Sequence, residues 1–192
     1  MEIQKLRSQL RRQRRGLSSF EQHQAERAVF HKLRHFPKFK RAQKIGVYLH
    51  AFGEIRTDLI IQLCFSQHKH VYLPMICNMN QHLVWVKISK HQYDNHRFSL
   101  HRLGMAQAMQ SRGHSVQHLD LLLMPLLACD AVGSRVGMGG GFYDRTLSRA
   151  QQIPYRLGLA HEFQYIDEIL VRQAWDQPLN ALVTPAKFRY FR

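Results

Sequence analysis

The spacing of apolar residues near the start of the chain predicts two consecutive helices. The first apolar stripe consists of Ile3, Leu6, Leu10 and Leu17. These positions recur at helical intervals among basic residues, and the helix is expected to break near Gly16. Ser18 followed by Glu21 is typical of a capping box, so a second helix should begin there. Its apolar face consists of Ala25, Ala28, Val29 and Leu33. Pro37 should end this helix, because proline disrupts helix interiors.

The rest of the chain alternates between apolar strand patterns and helix patterns. Strands are predicted at 44–49, 70–75, 82–88, 119–125, 156–160 and 180–185. One helix is predicted over 57–65, started by Thr57 or Asp58, and another from about Phe142 to Ala150. Residues 89–118 are polar and poorly periodic. The pattern indicates an α/β fold: one three-layer α-β-α domain over residues 1–192, with a mostly parallel sheet and a basic N-terminal helical hairpin.

The composition excludes several classes of protein. Hydrophobic residues make up 45% of the 192 residues, which suits a packed core rather than a disordered chain. No apolar run approaches the roughly 20 residues of a membrane span, and the charged N-terminus lacks the apolar region of a secretory signal. The three cysteines (Cys64, Cys77 and Cys129) form neither a disulfide framework nor a metal-binding pair, so we expect a cytoplasmic protein.

Positive charge is the most unusual feature of the composition. The formal net charge is +15, and residues 1–41 hold 12 Lys and Arg against three Asp and Glu. Such an excess indicates either solvated helix faces or a surface for an anionic partner, which includes nucleic acid, nucleotides and polyanionic metabolites. Both interpretations remain open from composition alone.

A glycine-rich segment offers more specific chemistry. Glycines occupy positions 137, 139, 140 and 141, between the charged residues Arg135, Asp144 and Arg145. Glycines let main-chain amides approach a ligand closely, and a helix predicted to start at Phe142 adds free N–H groups. A strand, a glycine loop and a helix N-terminus together predict an anion site, most plausibly for phosphate. The segment does not match the Walker loop, because no Lys-Ser or Lys-Thr follows the glycines. It does not match the dinucleotide fingerprint either, because Phe142 stands where that motif needs its third glycine.

The segment around this loop resembles the signature of 5-formyltetrahydrofolate cyclo-ligases. That signature reads D-x-x-x-x-P-x-x-x-x-D-x-x-G-x-R-x-G-x-G-x-G-[YF]-Y-D. The matching residues are Asp120, Pro125, Asp130, Gly133, Arg135, Gly137, Gly139, Gly141, Tyr143 and Asp144. The basic N-terminal segment, "VYLHAFGEIRTDLI", "VYLPMI" and "WDQPLNALVTP" also have counterparts in the family. The resemblance therefore covers nearly the whole chain and is weakest over 89–118.

The resemblance implies an activity and its small-molecule partners. Such enzymes convert 5-formyltetrahydrofolate to 5,10-methenyltetrahydrofolate and split ATP to ADP and phosphate, with Mg²⁺ as the cofactor. The formyl oxygen attacks the γ-phosphoryl group, N10 of the folate adds to the activated carbon, and phosphate then leaves. The chemistry needs positioning and charge neutralisation rather than a nucleophilic side chain. A monomer is expected.

The resemblance also implies a role for individual residues. ATP is expected to contact Ile3, Gln4, Lys5, Leu6, Arg7, Arg135, Val136, Gly137, Met138, Gly139, Gly140, Gly141, Phe142 and Tyr143. The folate is expected to contact Leu49, Glu54, Met138, Gly139, Gly140, Gly141 and Phe142. Arg135, Tyr143 and Arg145 are expected to act on the reacting groups. Asp144 and Asp176 are expected to hold Mg²⁺, which prefers carboxylate oxygens.

The chain departs from the family pattern in two places. The family often has lysine where this chain has Ile3, and the nearest lysine here is Lys5. The family's Gly-[IV]-x-x-Pro stretch is also missing, and residues 102–110 are its candidate remnant. The cation that meets ATP and the folate-side wall are the parts of the site that these departures affect.

Other interpretations explain less of the sequence. His114 and His118, or His68 and His70, could chelate a metal, but no carboxylate accompanies them at fixed spacing. Cys129 lacks a neighbouring histidine and is expected to be a small buried residue. The main alternative is a nucleic-acid-binding protein, which is less favoured because the basic N-terminal helix has no interleaved aromatic residues. A folate-binding relative without turnover is a further alternative.

Overall fold

The computed structural model describes residues 2–77, 81–109, 112–150 and 152–191. Its helices are α1 (Ile3–Arg15), α2 (Ser19–His35), α3 (Pro37–Arg41), α4 (Asp58–Ser66), α5 (Lys90–Asp94) and α6 (Phe142–Leu147). Its strands are β1 (Lys44–Gly46), β2 (His70–Ile76), β3 (Leu83–Ile88), β4 (Phe98–Leu100), β5 (Ala106–Ala108), β6 (Leu121–Pro125), β7 (Ala128–Cys129), β8 (Arg135–Val136), β9 (Tyr155–Leu159), β10 (Ala181–Val183) and β11 (Phe188–Tyr190). Within these ranges, no helix is long and apolar enough to cross a membrane.

A seven-stranded sheet organises the molecule, with the strand order β11-β10-β9-β6-β1-β2-β3. The five central strands are parallel, and the two edge strands β11 and β3 run antiparallel to their neighbours. The register places Ile45 of β1 opposite Val71 of β2 and Leu121 of β6. The mixed α/β fold with a mostly parallel sheet is confirmed.

Alternate residues of the central strands face two different cores. Leu121 and Leu123 point towards α2, α3 and α4, whereas Leu122 and Met124 point towards α6 and a 3-10 helix at Val116–His118. All four leucine and methionine side chains are fully buried, as expected for parallel strands covered on both faces. The sheet therefore has helices on both faces, with the thicker layer on the α2 side.

Helix α1 packs in a third, smaller core. Its Leu6 and Leu10 are buried against Leu127, Ala128 and Val136. Those partners lie on or beside the short β7–β8 hairpin that precedes the glycine loop. The two N-terminal helices are consecutive, but their apolar faces enter different cores because α2 packs on the main sheet instead.

Local signals predicted the helix boundaries well. The Ser18–Glu21 capping box forms at the start of α2, and Thr57 precedes α4 as its N-cap residue. Helix α2 ends at His35, and Pro37 becomes the first residue of α3. Helix α6 stops at Leu147 rather than Ala150, because the Ala150 amide turns back to the Leu147 carbonyl.

The structure corrects several strand predictions. Strand β1 ends at Gly46, three residues before the predicted end, although Val47 still donates to the carbonyl of Tyr72 at 2.9 Å. The antiparallel strand β11 and the β7–β8 hairpin were not predicted, because each is too short to show a period. Residues 89–118 contain α5 and the β4–β5 hairpin, which also escaped prediction; Gln110, at the end of the 102–110 segment, lies outside the described residues.

Candidate active site

A single large cavity gathers most of the predicted site residues. It has a volume of about 910 Å³ and lies at the carboxyl ends of β1, β2 and β6, where Leu49, Pro74 and Pro125 contribute to its wall. Ligand sites of open α/β sheets form at this edge. The predicted residues that line it are Ile3, Leu6, Arg7, Leu49, Glu54, Arg135, Val136, Gly137, Met138, Gly139, Gly140, Gly141, Phe142, Tyr143, Asp144, Arg145 and Asp176.

Two predicted ATP contacts lie elsewhere. Gln4 and Lys5 do not line the cavity, and Lys5 instead borders a separate open groove with Arg12. Helical spacing explains the difference, since Ile3, Leu6 and Arg7 share one face of α1 while residues 4 and 5 lie on the other. Of residues 3–7, which are expected to reach ATP, positions 3, 6 and 7 line the cavity.

The glycine loop adopts a backbone that other residues would resist. Gly139 has φ +105° and Gly141 has φ +65°, and Gly141 is the N-cap residue of α6. A Cβ on Gly140 would lie 2.5 Å from the ring of Phe142. The loop therefore needs glycine at each of these three positions for a geometric reason.

Three arginines fix the direction of the peptide groups in this loop. Arg7 Nε donates to the Gly137 carbonyl at 3.2 Å, Arg11 Nη2 to that of Met138 at 2.6 Å, and Arg145 Nη2 to that of Gly140 at 2.7 Å. In a planar trans peptide the next N–H points opposite to the carbonyl. The amides of residues 138, 139 and 141 are therefore turned away from the arginines, and among the described residues they have no hydrogen-bond acceptor.

Arg135, Tyr143 and Asp144 form the charged wall beside the loop. Arg135 Nη2 donates to Asp144 Oδ1 at 2.5 Å, and the guanidinium carbon lies 5.7 Å from the ring centroid of Tyr143. The Nε of Arg135 is buried without a hydrogen-bond partner in the described part of the chain. Burial raises the pKa of Tyr143 well above its usual value, so its hydroxyl stays protonated.

The two predicted metal ligands lie near each other on the cavity wall. The backbone N–H of Gln177 donates to Asp144 Oδ1 at 3.3 Å, which brings the preceding residue, Asp176, beside Asp144. Asp176 Oδ2 accepts the N–H of Gln173 at 2.8 Å. Two carboxylates with room for water and phosphate oxygens fit Mg²⁺, which rarely takes an all-protein cage. No cluster of three metal-ligating side chains occurs in the described ranges.

The opposite wall is built on a buried ion pair. Arg14 of α1 is only 1% exposed, and its Nη1 lies 3.7 Å from Glu54 Oε1. The same guanidinium donates to the carbonyls of Phe52 at 3.0 Å and Leu126 at 3.2 Å. Burial raises the pKa of Glu54, and the Arg14 charge partly offsets this shift. Glu54 therefore presents a desolvated carboxylate to the cavity beside Leu49.

Several lining residues were not singled out from the sequence. Met105, Ala106 and Gln107 of the β5 region line the cavity, so the 102–110 segment does contribute a wall. Residues 168–173 and Trp175 form a further rim without any periodic signal. Arg11 and Arg14 could have been found, because with Arg7 they follow the i, i+4, i+7 spacing of one helix face.

The geometry of His114 and His118 does not suit metal binding, and the environment of Cys129 does not suit a nucleophile. The rings of His114 and His118 stack with centroids 4.3 Å apart, and the Tyr72 hydroxyl lies 3.1 Å from His118 Nε2. Parallel stacked rings do not direct their nitrogens to one point. Cys129 is buried, as predicted, and burial raises its pKa to about 12, which keeps it a neutral thiol.

Comparison with known proteins gives a consistent result. A model of the 5-formyltetrahydrofolate cyclo-ligase family matches residues 2–185. A 5-formyltetrahydrofolate cyclo-ligase of Haemophilus influenzae is 33% identical over 181 residues, covering 92% of this chain and 94% of that protein. The protein of the same name from Escherichia coli K12 is 31% identical over 183 residues, covering 93% of this chain and 97% of its own length.

Solved structures agree with these sequence matches. The NMR structure of Aquifex aeolicus 5,10-methenyltetrahydrofolate synthetase superposes with a TM-score of 0.84 at 26% identity, covering 100% of this chain and 94% of that one. A 5,10-methenyltetrahydrofolate synthetase from Mycoplasma pneumoniae has the same fold, with a TM-score of 0.74 at 18% identity over 96% of this chain and 99% of that one.

The backbone of Gly139 generates a prediction about ATP binding. We expect Gly139→Ala to weaken ATP binding about tenfold or more. A side chain at positive φ costs roughly 1–2 kcal/mol and would displace the exposed loop. The site around a Cβ there is open, with Arg7 Cζ nearest at 3.9 Å, so the melting temperature should fall by only a few degrees. Isothermal calorimetry with an ATP analogue and a thermal melt check both. Gly16→Ala, at a helix end with negative φ, is the control; normal ATP affinity in Gly139→Ala would show that the loop is only a turn.

Proposed function

This chain belongs to the 5-formyltetrahydrofolate cyclo-ligase family, and we propose that the cavity at the carboxyl edge of its sheet is where 5-formyltetrahydrofolate and ATP react to give 5,10-methenyltetrahydrofolate, ADP and phosphate. One observation carries this assignment of the site. The glycine loop, whose amides at 138, 139 and 141 have no acceptor among the described residues, and the desolvated carboxylate of Glu54 line the same cavity. A phosphate donor and a pterin could therefore meet there.

The loop side of the cavity suits the phosphates of ATP. The amides of residues 138, 139 and 141 supply hydrogen-bond donors, and Arg7, Arg135 and Arg145 supply positive charge around them. Phosphoryl transfer depends on positioning and charge neutralisation, and such donors act without reorganisation during the reaction. No nucleophilic side chain is required, because the formyl oxygen of the substrate is itself the nucleophile.

The Arg14 side of the cavity suits the pterin. The Glu54 carboxylate can accept two hydrogen bonds from the amino-pyrimidinone edge of the ring, and Leu49 offers an apolar contact. The Glu54 Oε2 atom already accepts the Ala51 N–H at 3.1 Å, which holds the carboxylate in one orientation. The formyl group would then extend towards the glycine loop, where Arg135 and the protonated Tyr143 hydroxyl can stabilise its developing charge.

Asp144 and Asp176 are the residues that would hold Mg²⁺. The chemistry that Mg²⁺ would supply there is neutralisation of the phosphate charge of ATP. Arg135 holds Asp144 Oδ1, so the carboxylate keeps its position on the cavity wall in the free protein.

We further propose that the enzyme acts as a monomer in the cytoplasm. The three unpaired cysteines support a reducing compartment.

The reaction is tested directly with purified protein, Mg·ATP and 5-formyltetrahydrofolate. We expect methenyltetrahydrofolate, followed by its near-ultraviolet absorbance, and an equal amount of ADP. ATP hydrolysis should require the folate, because its formyl oxygen is the phosphoryl acceptor. Hydrolysis at the same rate without folate, or folate binding without any turnover, would contradict the proposed function.

Loss of a carboxylate at Asp144 should change the dependence on magnesium. We expect Asp144→Asn to lower kcat strongly and to raise the Mg²⁺ concentration needed for half-maximal rate, because an amide is a weaker ligand for a hard cation. Asp94→Asn removes an exposed carboxylate paired with Lys90 and serves as the matched control. An unchanged Mg²⁺ titration in Asp144→Asn would exclude Asp144 as a ligand.

The pterin role of Glu54 predicts a selective effect on one substrate. Glu54→Gln should raise the folate KM by roughly tenfold or more and change the ATP KM little, since a hydrogen bond to a charged group contributes about 1.5–3 kcal/mol. Because burial raises the pKa of Glu54, acidification should raise the folate KM of the wild-type protein at a pH above that at which an exposed glutamate protonates. Steady-state kinetics across pH would check both effects; equal weakening of the two substrates would indicate a folding defect instead.

A further inference from the structure

One face of the molecule, remote from the cavity lining, combines cations with aromatic rings. Its positively charged members are Arg27, Arg34, Lys38, Lys40 and Arg41, with His31 and His35 among them, and its aromatic members are Tyr155, Phe188 and Tyr190. We refer to these residues as the basic–aromatic surface. None of them lines the active-site cavity.

The cations form a continuous exposed stripe. Positions 27, 31, 34 and 35 share one face of α2, and Lys38, Lys40 and Arg41 continue the charge along α3. All seven side chains are exposed, and no aspartate or glutamate occurs between Arg27 and Gly53. Desolvation, followed by the neighbouring Arg34, His31 and Lys40, lowers the pKa of His35, so the positive charge of the stripe comes from its arginines and lysines.

The fold brings aromatic rings from a distant part of the chain beside this stripe. The Phe36 ring, at the junction of α2 and α3, lies 4.7 Å from the Phe188 centroid, 5.9 Å from that of Tyr155 and 6.3 Å from that of Tyr190. Lys38 Nζ lies 4.5 Å from the Tyr155 centroid. Tyr190 is 65% exposed, so one face of its ring is open to a ligand.

Three acidic groups on α2 and the neighbouring elements (Glu26, Asp120 and Glu162) already have partners outside this surface. Glu162 Oε1 accepts from Arg189 at 2.8 Å, and Asp120 Oδ2 accepts the backbone N–H groups of Gln43 and Lys44, both at 2.8 Å. Glu26 is buried, 3.7 Å from Arg56. The positive charge of the stripe is therefore not cancelled by neighbouring carboxylates.

We propose that the basic–aromatic surface binds single-stranded nucleic acid. The cations would contact phosphates along the strand, while Tyr190 and the adjoining Tyr155 would stack against bases. Such a combination of a cationic track and aromatic platforms is how single strands are bound without sequence preference.

A lipid surface fits this face less well. Membrane-surface helices insert apolar side chains beside their cations. The exposed apolar residue of α2, Phe20, lies at the N-terminal end of the helix, before the stripe begins at Arg27. Within residues 27–41, Val29, Leu33 and Phe39 are buried against the sheet, so no large apolar side chain is exposed beside the basic residues there. The sequence disfavoured a nucleic-acid-binding protein because the N-terminal helix α1 lacks aromatic residues. In the structure, β9 and β11 place aromatic rings beside α2 and α3 instead.

Fluorescence anisotropy with a labelled 16-nucleotide oligouridylate tests the proposal on the full-length protein. We expect a Kd on the order of 1–10 µM at 50 mM salt. Five arginine and lysine contacts would give a log–log salt slope of about −3.5, hence roughly 100-fold weaker binding at 200 mM. A duplex of equal length should bind more weakly, because its bases are not available for stacking.

Paired variants locate the binding on this surface. Arg34→Gln combined with Lys38→Gln should reduce the salt slope by about 1.4. The control Lys87→Gln with Arg97→Gln removes the same charge from exposed positions on and beyond the opposite edge strand and should bind normally. Tyr190→Leu should weaken binding on the order of tenfold, whereas Tyr190→Phe keeps the ring and should not. Thermal melts and folate turnover verify that each variant is folded.

Three results would overturn the proposal. The first is the absence of any anisotropy change at 50 mM salt when the protein concentration reaches about 100 µM, well above the expected Kd. The second is equal weakening by the two charge-removing pairs, which would indicate net charge alone. The third is binding to vesicles of phosphatidylserine and phosphatidylcholine without binding to the oligonucleotide, which would assign the surface to membranes. If the variant with both Arg34→Gln and Lys38→Gln has a lowered melting temperature, the test is the difference in oligonucleotide affinity between Tyr190→Leu and Tyr190→Phe. Equal affinity of these two variants would then overturn the proposal.

Discussion

The buried guanidinium of Arg14 is the contact on which the geometry of the active site depends. It joins α1 to the Phe52–Glu54 turn, to the end of β6 at Leu126 and, through a 3.7 Å contact, to Met138 Sδ in the glycine loop. A charge buried to this extent is tolerated because each of the three guanidinium nitrogens has a hydrogen-bond partner and Glu54 supplies the opposite charge. Removing it would leave the Glu54 carboxylate without its cation and would loosen the contact between the two walls of the cavity, between which we propose that both substrates fit.

The glycine loop illustrates how side chains can determine which part of the backbone a ligand meets. Arg7, Arg11 and Arg145 each bind a carbonyl, so the same cations that contribute positive charge also turn the amides away from themselves. The positive φ angles of Gly139 and Gly141 make that orientation possible without steric strain. Composition and backbone conformation thus act together, and neither would form the site alone.

The parts of the structure that depend on neighbouring residues could be predicted from the sequence, whereas the parts formed by contacts between distant segments could not. The Ser18–Glu21 capping box and the glycine positions were predictable because their physical causes lie within a few residues. Helical spacing also accounts for Gln4 and Lys5, which lie on α1 but do not line the cavity with Ile3, Leu6 and Arg7. Strand β11 could not be predicted because it is too short to show a period, and its aromatic contacts with Phe36 could not because they join segments about 150 residues apart. The same limit applies to the rim formed by residues 168–173.

The separate small core beneath α1 has a consequence for the dynamics of the molecule. Because Leu6 and Leu10 pack on the β7–β8 hairpin rather than on the main sheet, α1 can open as its own cooperative unit at a lower free energy than global unfolding. Its arginines hold the loop carbonyls, so opening α1 and loosening the loop are one event. A ligand that binds the ordered loop is therefore expected to protect the amides of α1 from hydrogen exchange, so the N-terminal helix would report occupancy of the site.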